Sequence, residues 1–284
     1  MNSPLLIFTD IDGTLLDHHS YSYQGSEKVL EQLRRLAIPL ILNSSKTKAE
    51  LLKLQAILGL NGPFIAENGG GIFLPAGLTL PESVRFENSG SLQGMKFGME
   101  YSQIRAIFVA VRGKYKIRGF GDMTAEEIMA ATGLSREDAI LAGQRDFSEP
   151  FLFQAEPRPQ ELQEEVAARG LTVTRGGRFY HLLASGQDKG RAVLETTRLF
   201  QGGCQDRITT VGLGDAANDY PMLRVVDIPV LVPKPDGGFE NMDLPGLRKA
   251  PYPGSRGWAA AITGILDELQ LSPSPTAGGC RIPG

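Results

Sequence analysis

Between residues 5 and 58 the sequence twice sets a short, unbroken apolar run ahead of an amphipathic helix, and no other feature restricts the fold as much. Residues 5–9 and 38–42 have the length and composition of buried strands bounded by turn-prone residues. Residues 27–37 place Val29, Leu30, Leu33, Leu36 and Ala37 near helical spacing, and residues 47–58 repeat the pattern before stopping at Gly59. Two more short strands, 64–66 and 72–74, flank a run of glycines. This alternation implies a parallel sheet with right-handed crossovers, in which active residues sit at the carboxyl ends of strands. Asp10 and Ser44 both fall at such ends.

The texture changes near residue 84 and returns after Gly186. Residues 104–111 and 115–117 mix strand-like and ambiguous signals. Thr124 and Glu127 form a capping box that opens a short helix ending near Gly133, and 135–143 suit a second helix. Residues 151–155 read as a strand and 159–169 as a helix; 171–174 and 178–184 then flank Gly176-Gly177, a hairpin signal. From 189 to 232 helix and strand alternate again, and 255–269 form a last amphipathic helix. The expected class is α/β: a Rossmann-like parallel-sheet core, residues 1–84 and 187–272, carrying an inserted α+β cap at 85–186. Residues 273–284, without periodicity, are expected to be disordered.

A net charge of −3 argues against a general nucleic-acid binder, which needs a basic face to neutralise phosphates. The N-terminal apolar run is too short for a signal-peptide core and nothing approaches transmembrane length, so a cytoplasmic protein with no membrane partner is expected. Cys204 and Cys280 lie far apart and outside any metal-ligand spacing, and read as unpaired thiols in a reducing compartment. The sequence carries no sign of an oligomeric state.

Four segments carry chemistry. Asp10-Ile11-Asp12-Gly13-Thr14 follows the first strand directly. Two carboxylates so placed can converge on one divalent cation; one can attack a phosphoryl group while its neighbour protonates the leaving oxygen and later activates water. Gly212-Leu213-Gly214-Asp215-Ala216-Ala217-Asn218-Asp219 ends a later strand, where Asp215 can add a metal ligand and Asn218 and Asp219 can orient water or neighbouring side chains; alone, it reads better as an ordinary helix start, and only beside the first segment does the metal reading prevail. Asn43-Ser44-Ser45-Lys46-Thr47 offers hydroxyls and free amides suited to phosphate oxygens, compatible with a simple Ser cap. In Asp188-Lys189-Gly190 a lysine opposes the dipole of the helix it starts, which asks for a reason such as balancing a nucleophile and a phosphate; the alternative is a solvated surface lysine.

In this order the four segments resemble the haloacid dehalogenase-like phosphatases, with an insertion like the type-two (IIB) cap of sugar-phosphate phosphatases. The resemblance implies Asp10 as nucleophile and Asp12 as acid/base, with Mg2+ held by Asp10, the Asp12 backbone carbonyl and Asp215. It implies phosphate bound by Ser44, Ser45, Lys189 and Asn218, with Asp219 behind them. A closer resemblance is to the mannosyl-3-phosphoglycerate phosphatase subgroup, through Glu67-Asn68-Gly69-Gly70-Gly71, Ser148-Glu149-Pro150-Phe151, Thr174-Arg175-Gly176-Gly177-Arg178-Phe179-Tyr180-His181 and the stretch from Pro229 to Gly237. Ala216 departs from it, since related sequences often have a small hydroxyl residue there. It implies a small phosphorylated sugar-glycerate substrate, with Glu67 and Asn68 among the residues that meet it, Arg145, Arg175, Arg178 and His181 as cationic donors, Ser148 and Glu149 as partners for sugar hydroxyls, and Gly176 and Gly177 offering amides to an anion.

Simpler roles stand beside these. Gly176-Gly177 suffices as a plain turn, Arg145 can pair with Asp146 or Glu149, His181 can be structural, and Glu67-Asn68 can be turn formers. Rival functions are a phosphatase for glucosyl-3-phosphoglycerate or sucrose phosphate, a phosphomutase, and a phosphosugar-binding regulator without turnover.

Overall fold

The structure, a computed structural model, describes residues 4–76, 87–89 and 91–271. The elements in chain order are β1 Leu5–Thr9, α1 Glu27–Arg35, β2 Leu40–Asn43, α2 Lys48–Leu58, β3 Phe64–Ala66, β4 Gly71–Pro75, β5 Glu87–Ser89, β6 Leu92–Lys96, α3 Tyr101–Tyr115, β7 Ile117–Gly119, α4 Ala125–Thr132, α5 Arg136–Ala142, β8 Ser148–Phe153, α6 Pro159–Ala167, β9 Leu171–Arg175, β10 Tyr180–Ala184, α7 Lys189–Gln201, β11 Thr209–Gly214, α8 Tyr220–Val225, β12 Ile228–Leu231, β13 Arg248–Lys249 and α9 Gly254–Glu268. They form a nine-stranded sheet ordered β13-β12-β11-β1-β2-β3-β4-β6-β5 and a four-stranded sheet ordered β7-β8-β10-β9.

From β13 to β3 the large sheet is parallel, and the strands beyond β3 run antiparallel. Its central strands are apolar on both faces because helices cover both. Leu5 and Ile7 of β1 pack with residues of α1, α2 and α9, whereas Leu6 and Phe8 pack with residues of α7 and α8. The alternation of side chains along one strand thus feeds two separate hydrophobic layers. Thr47 caps α2 with a full capping box, and Gly59 closes it in the left-handed conformation.

The four-stranded sheet is antiparallel and carries α3 and α6 on one face. The segment of mixed signals at 104–111 lies inside α3, where Ile104, Phe108, Val111 and Tyr115 form one buried stripe at helical spacing. β5 and β6, within the stretch read from the sequence as the start of the cap, instead extend the large sheet, β6 pairing with β4 and β5 with β6. Leu92-Gln93-Gly94-Met95-Lys96 has little strand-type composition; its place is set by the partner strand rather than by local preference. Cys204 is disulfide-bonded, contrary to the expectation of a free thiol, and Cys280 lies outside the described residues. The tail expected at 273–284 lies there too. Among the described residues no helix is long and apolar enough to cross a membrane.

Where α9 meets β1, the fully buried Trp258 donates its indole N–H to Thr9 Oγ1 at 3.0 Å, and Thr9 donates in turn to the Asp10 carbonyl at 2.7 Å. The last helix therefore helps fix the backbone that presents Asp10. Trp258→Phe is expected to destabilise the protein by about 2 kcal/mol, through a small cavity and the loss of the donor to the buried Thr9 hydroxyl. Chemical denaturation checks this; a loss below about 0.5 kcal/mol would show that the bond contributes nothing.

Candidate active site

Asp10 continues the ladder beyond β1, its N–H donating to the Leu213 carbonyl at 2.8 Å, so its side chain stands where β1 and β11 end together. The chain then turns at Gly13, which has φ +83°. A Cβ there would lie 2.6 Å from Asp215 Oδ2, so only glycine lets the first loop pass the second carboxylate this closely. Thr14 donates to Asp215 Oδ1 at 3.2 Å and ties the two strand ends.

Lys189 opens α7 and is fully buried. Its ammonium lies 2.5 Å from Asp10 Oδ1 and 2.7 Å from Asp219 Oδ1, which is why a lysine stands in a turn where the helix dipole opposes it. Burial alone would lower its pKa; Asp10 and Asp219 override this and hold it above its ordinary value. Asp219 Oδ2 accepts from the N–H groups of Asp215 and Ala216, both at 3.0 Å, so both oxygens of Asp219 are committed within the protein.

Oxygens of Asp10, Asp215 and Asp219 lie within 4.8 Å of one another. Burial raises the pKa of Asp10; Lys189 opposes this without overcoming it, and Asp219 and Asp12 add to the rise. Burial likewise raises Asp215, with Asp10 and Asp219 adding to it. Three carboxylates face one ammonium, and an all-oxygen donor set with excess negative charge fits a hard divalent cation. Since Asp219 is engaged by Lys189 and two amides, Asp10 and Asp215 are the carboxylates free to hold it.

Asp12 stands apart from this triad. Its Oδ2 lies 2.9 Å from Lys46, and its Oδ1 is buried without a hydrogen-bond partner. An acid oxygen free of protein partners beside a nucleophile suits proton exchange with a leaving group.

The cleft over these residues encloses about 160 Å3. Asp10, Asp12, Ser45, Lys46, Asp215 and Asn218 form its floor, while Arg145, Gly176, Gly177, Arg178 and His181 line it from the side of the four-stranded sheet. Ser44 is buried at the end of β2, and its hydroxyl accepts from the Lys46 N–H at 3.2 Å. Asn218 donates to Asn68 Oδ1 at 3.1 Å, which places Asn68 behind it. His181 is buried with Nδ1 unpartnered; burial, reinforced by Arg145 and Lys189, pushes its pKa down to about 3, so the ring is neutral.

Other residues expected at the substrate lie elsewhere. Glu67 is fully buried and accepts from the N–H groups of Asp146 and Phe147 at 2.7 and 3.1 Å and from the Ser148 hydroxyl at 2.7 Å, while pairing with Arg145 at 3.2 Å. Glu67 and Ser148 therefore hold Arg145 rather than line the cleft. Glu149 accepts from Tyr101 at 2.5 Å and from the Gly121 N–H at 2.9 Å, away from the cleft. Arg175 stacks over Tyr180, 5.4 Å from the ring centroid, also outside it. Strand alternation decides both cases, and a one-residue change of facing reverses such an assignment. Lys46, Tyr21, His18 and Glu50 are among the lining residues missed from sequence. The argument applied to Lys189 also applies to Lys46, a cation just ahead of a helix N-terminus.

Residues 7–234 match the model of the haloacid dehalogenase-like hydrolases, and the chain belongs to that family; it is a phosphoric monoester hydrolase. It is 44% identical over 266 residues to the glucosyl-3-phosphoglycerate/mannosyl-3-phosphoglycerate phosphatase of Persephonella marina, covering 94% of this chain and 98% of that one. The phosphatase of the same name from Methanococcoides burtonii is 40% identical over 265 residues, covering 92% and 97%. A solved sugar phosphatase of subclass IIB shares the fold with a TM-score of 0.62 at 17% identity, covering 94% of this chain and all of its own.

Asp10→Asn is expected to lower turnover by about 10^4-fold or more with the fold retained, measured as phosphate release alongside circular dichroism. A second expectation concerns pH. Raised carboxyl pKa values mean that ionising Asp10 and Asp215 disfavours the metal-free fold as pH rises above the ordinary carboxylate range. Without divalent cations, Asp215→Asn should therefore melt above the wild type at pH 8, with the gap shrinking toward pH 4. A variant less stable throughout would contradict the charge balance described.

Proposed function

We propose that the protein hydrolyses a hexosyl-3-phosphoglycerate, mannosyl or glucosyl, to the hexosylglycerate and phosphate. The observation that carries this reading is that one cleft joins Asp10 and Asp12 to cationic and glycine-rich groups across it. That combination suits a substrate with a phosphate at one end and a second anion and sugar hydroxyls beyond it. The names of two relatives at 44% and 40% identity support the same class.

In this scheme Asp10 attacks phosphorus, the bond from phosphorus to the glycerate oxygen breaks, and Asp12 gives that oxygen its proton. Asp12 then takes a proton from water, whose oxygen displaces Asp10 and releases phosphate. Lys189 holds Asp10 ionised and oriented, and Ser44, Ser45 and Asn218 supply donors near the phosphoryl oxygens. Mg2+, held by Asp10 and Asp215, would offset the charge on those oxygens when bound. We take residues up to about 98 and from about 187 as the catalytic domain, with the intervening residues as a cap that shields the site from water.

Phosphate release with and without Mg2+ tests this, using mannosyl- and glucosyl-3-phosphoglycerate, sucrose 6-phosphate and free 3-phosphoglycerate as substrates and Asp10→Asn as the blank. The expected result is Mg2+-dependent preference for a hexosyl-3-phosphoglycerate by at least about tenfold in kcat/KM, the scale of one neutral hydrogen bond or a little more. Equal or better hydrolysis of sucrose 6-phosphate would refute the substrate, and metal-independent turnover would refute the cation.

A further inference from the structure

We infer that Lys46 is the specificity-determining residue that reads the carboxylate of the leaving group; this rests on the substrate class proposed above. The leaving oxygen must come to Asp12 to receive its proton, so whatever that oxygen carries lies beside Asp12. Lys46 is there already, its ammonium 2.9 Å from Asp12 Oδ2 and in the lining of the same cleft. In a 3-phosphoglyceryl ester the carboxylate is only two carbons from the carbon bearing the leaving oxygen. A cation one hydrogen bond from the acid is therefore within its reach.

Of the other cations of the cleft, Arg145 is more fully engaged, whereas Arg178 makes only neutral contacts and sits exposed at its rim. Arg145 is bound through Nε and Nη2 to Glu67, Ser148 and the Ser45 carbonyl. Arg178 donates through Nη2 to the Thr132 carbonyl at 2.5 Å and to the Tyr21 hydroxyl at 3.3 Å, on the exposed rim. Lys46 has three N–H donors, and its contact with Glu50, at 3.7 Å, is longer than a hydrogen bond. Glu50 is held off because its other oxygen accepts from the Thr47 N–H at 2.9 Å in the capping box of α2. The Tyr21 ring, 5.7 Å from the ammonium, bounds this corner on a residue held at φ +53°, a conformation that bulky side chains rarely adopt. Lys46 thus keeps donor capacity for an arriving anion next to the bond that breaks, while Lys189 stays buried against Asp10 and Asp219.

The test compares two matched esters: a hexosyl-3-phosphoglycerate and the same hexosyl glycerol phosphate, in which a hydroxymethyl group replaces the carboxylate. Wild type is expected to favour the carboxylated ester by about 30-fold or more in kcat/KM, the scale of a charge-assisted hydrogen bond. Lys46→Met should slow both esters, because Asp12 loses its partner, yet bring their ratio to within about threefold of unity. Lys46→Arg should restore part of the ratio. An undiminished ratio in Lys46→Met would assign the carboxylate to another group and overturn the inference while leaving the substrate class intact; absence of any preference in wild type would overturn it as well. Hydrolysis of neither ester, beside turnover of other sugar phosphates, would refute the substrate class and the inference with it.

Discussion

The architecture of the site depends on one buried ammonium. Lys189 has no contact with solvent, and an unpaired cation there would cost several kcal/mol. It is tolerated because Asp10 arrives from the end of β1 and Asp219 from the turn after β11, so three chain segments meet at one charge. Asp219 then passes the constraint on, since its second oxygen collects the amides of Asp215 and Ala216 and sets where the Asp215 carboxylate stands. The balance is deliberately incomplete in charge: one ammonium cannot neutralise Asp10, Asp215 and Asp219 together. The same arrangement that orders the protein leaves a demand for positive charge at the place where a phosphoryl group would be transferred.

Much of this could be read from the sequence because the chemistry lies at strand ends. A short apolar run fixes where Asp10, Ser44 and Asp215 emerge, and parallel topology brings those ends to one edge of the sheet whatever the details of the loops. Lys189 was legible for a different reason, as a residue placed against its helix dipole. The insertion was harder. Ile104 to Val111 is rich in residues that favour strands, and only the burial of one stripe against β8 and β10 selects helix. β5 and β6 join the large sheet through backbone pairing, for which their own composition gives little signal.

Side-chain facing was the least legible property. Glu149 and Pro150 are neighbours on β8, yet Pro150 lines the cleft and Glu149 turns to Tyr101 and Gly121. Arg175 and Arg178 flank the same turn, and only the second reaches the cleft. A motif can name the residues of a strand or hairpin, but the register that decides which of them face a ligand is set by pairing across the sheet.

The fully buried carboxylate of Glu67 acts as a rivet between the two sheets. It collects two amides, a hydroxyl and a guanidinium from residues 145–148, while its own carbonyl accepts from Gln187 at 2.7 Å, where the chain crosses back. Releasing it in each catalytic cycle would strand a buried charge, at a cost far above thermal energy. The joints nearer solvent, Lys53 with Asp138 and Arg178 with Tyr21, carry a smaller penalty. The smaller sheet is thereby anchored to the larger one where residues 145–148 meet Glu67, so any opening of the cleft has to leave that joint closed.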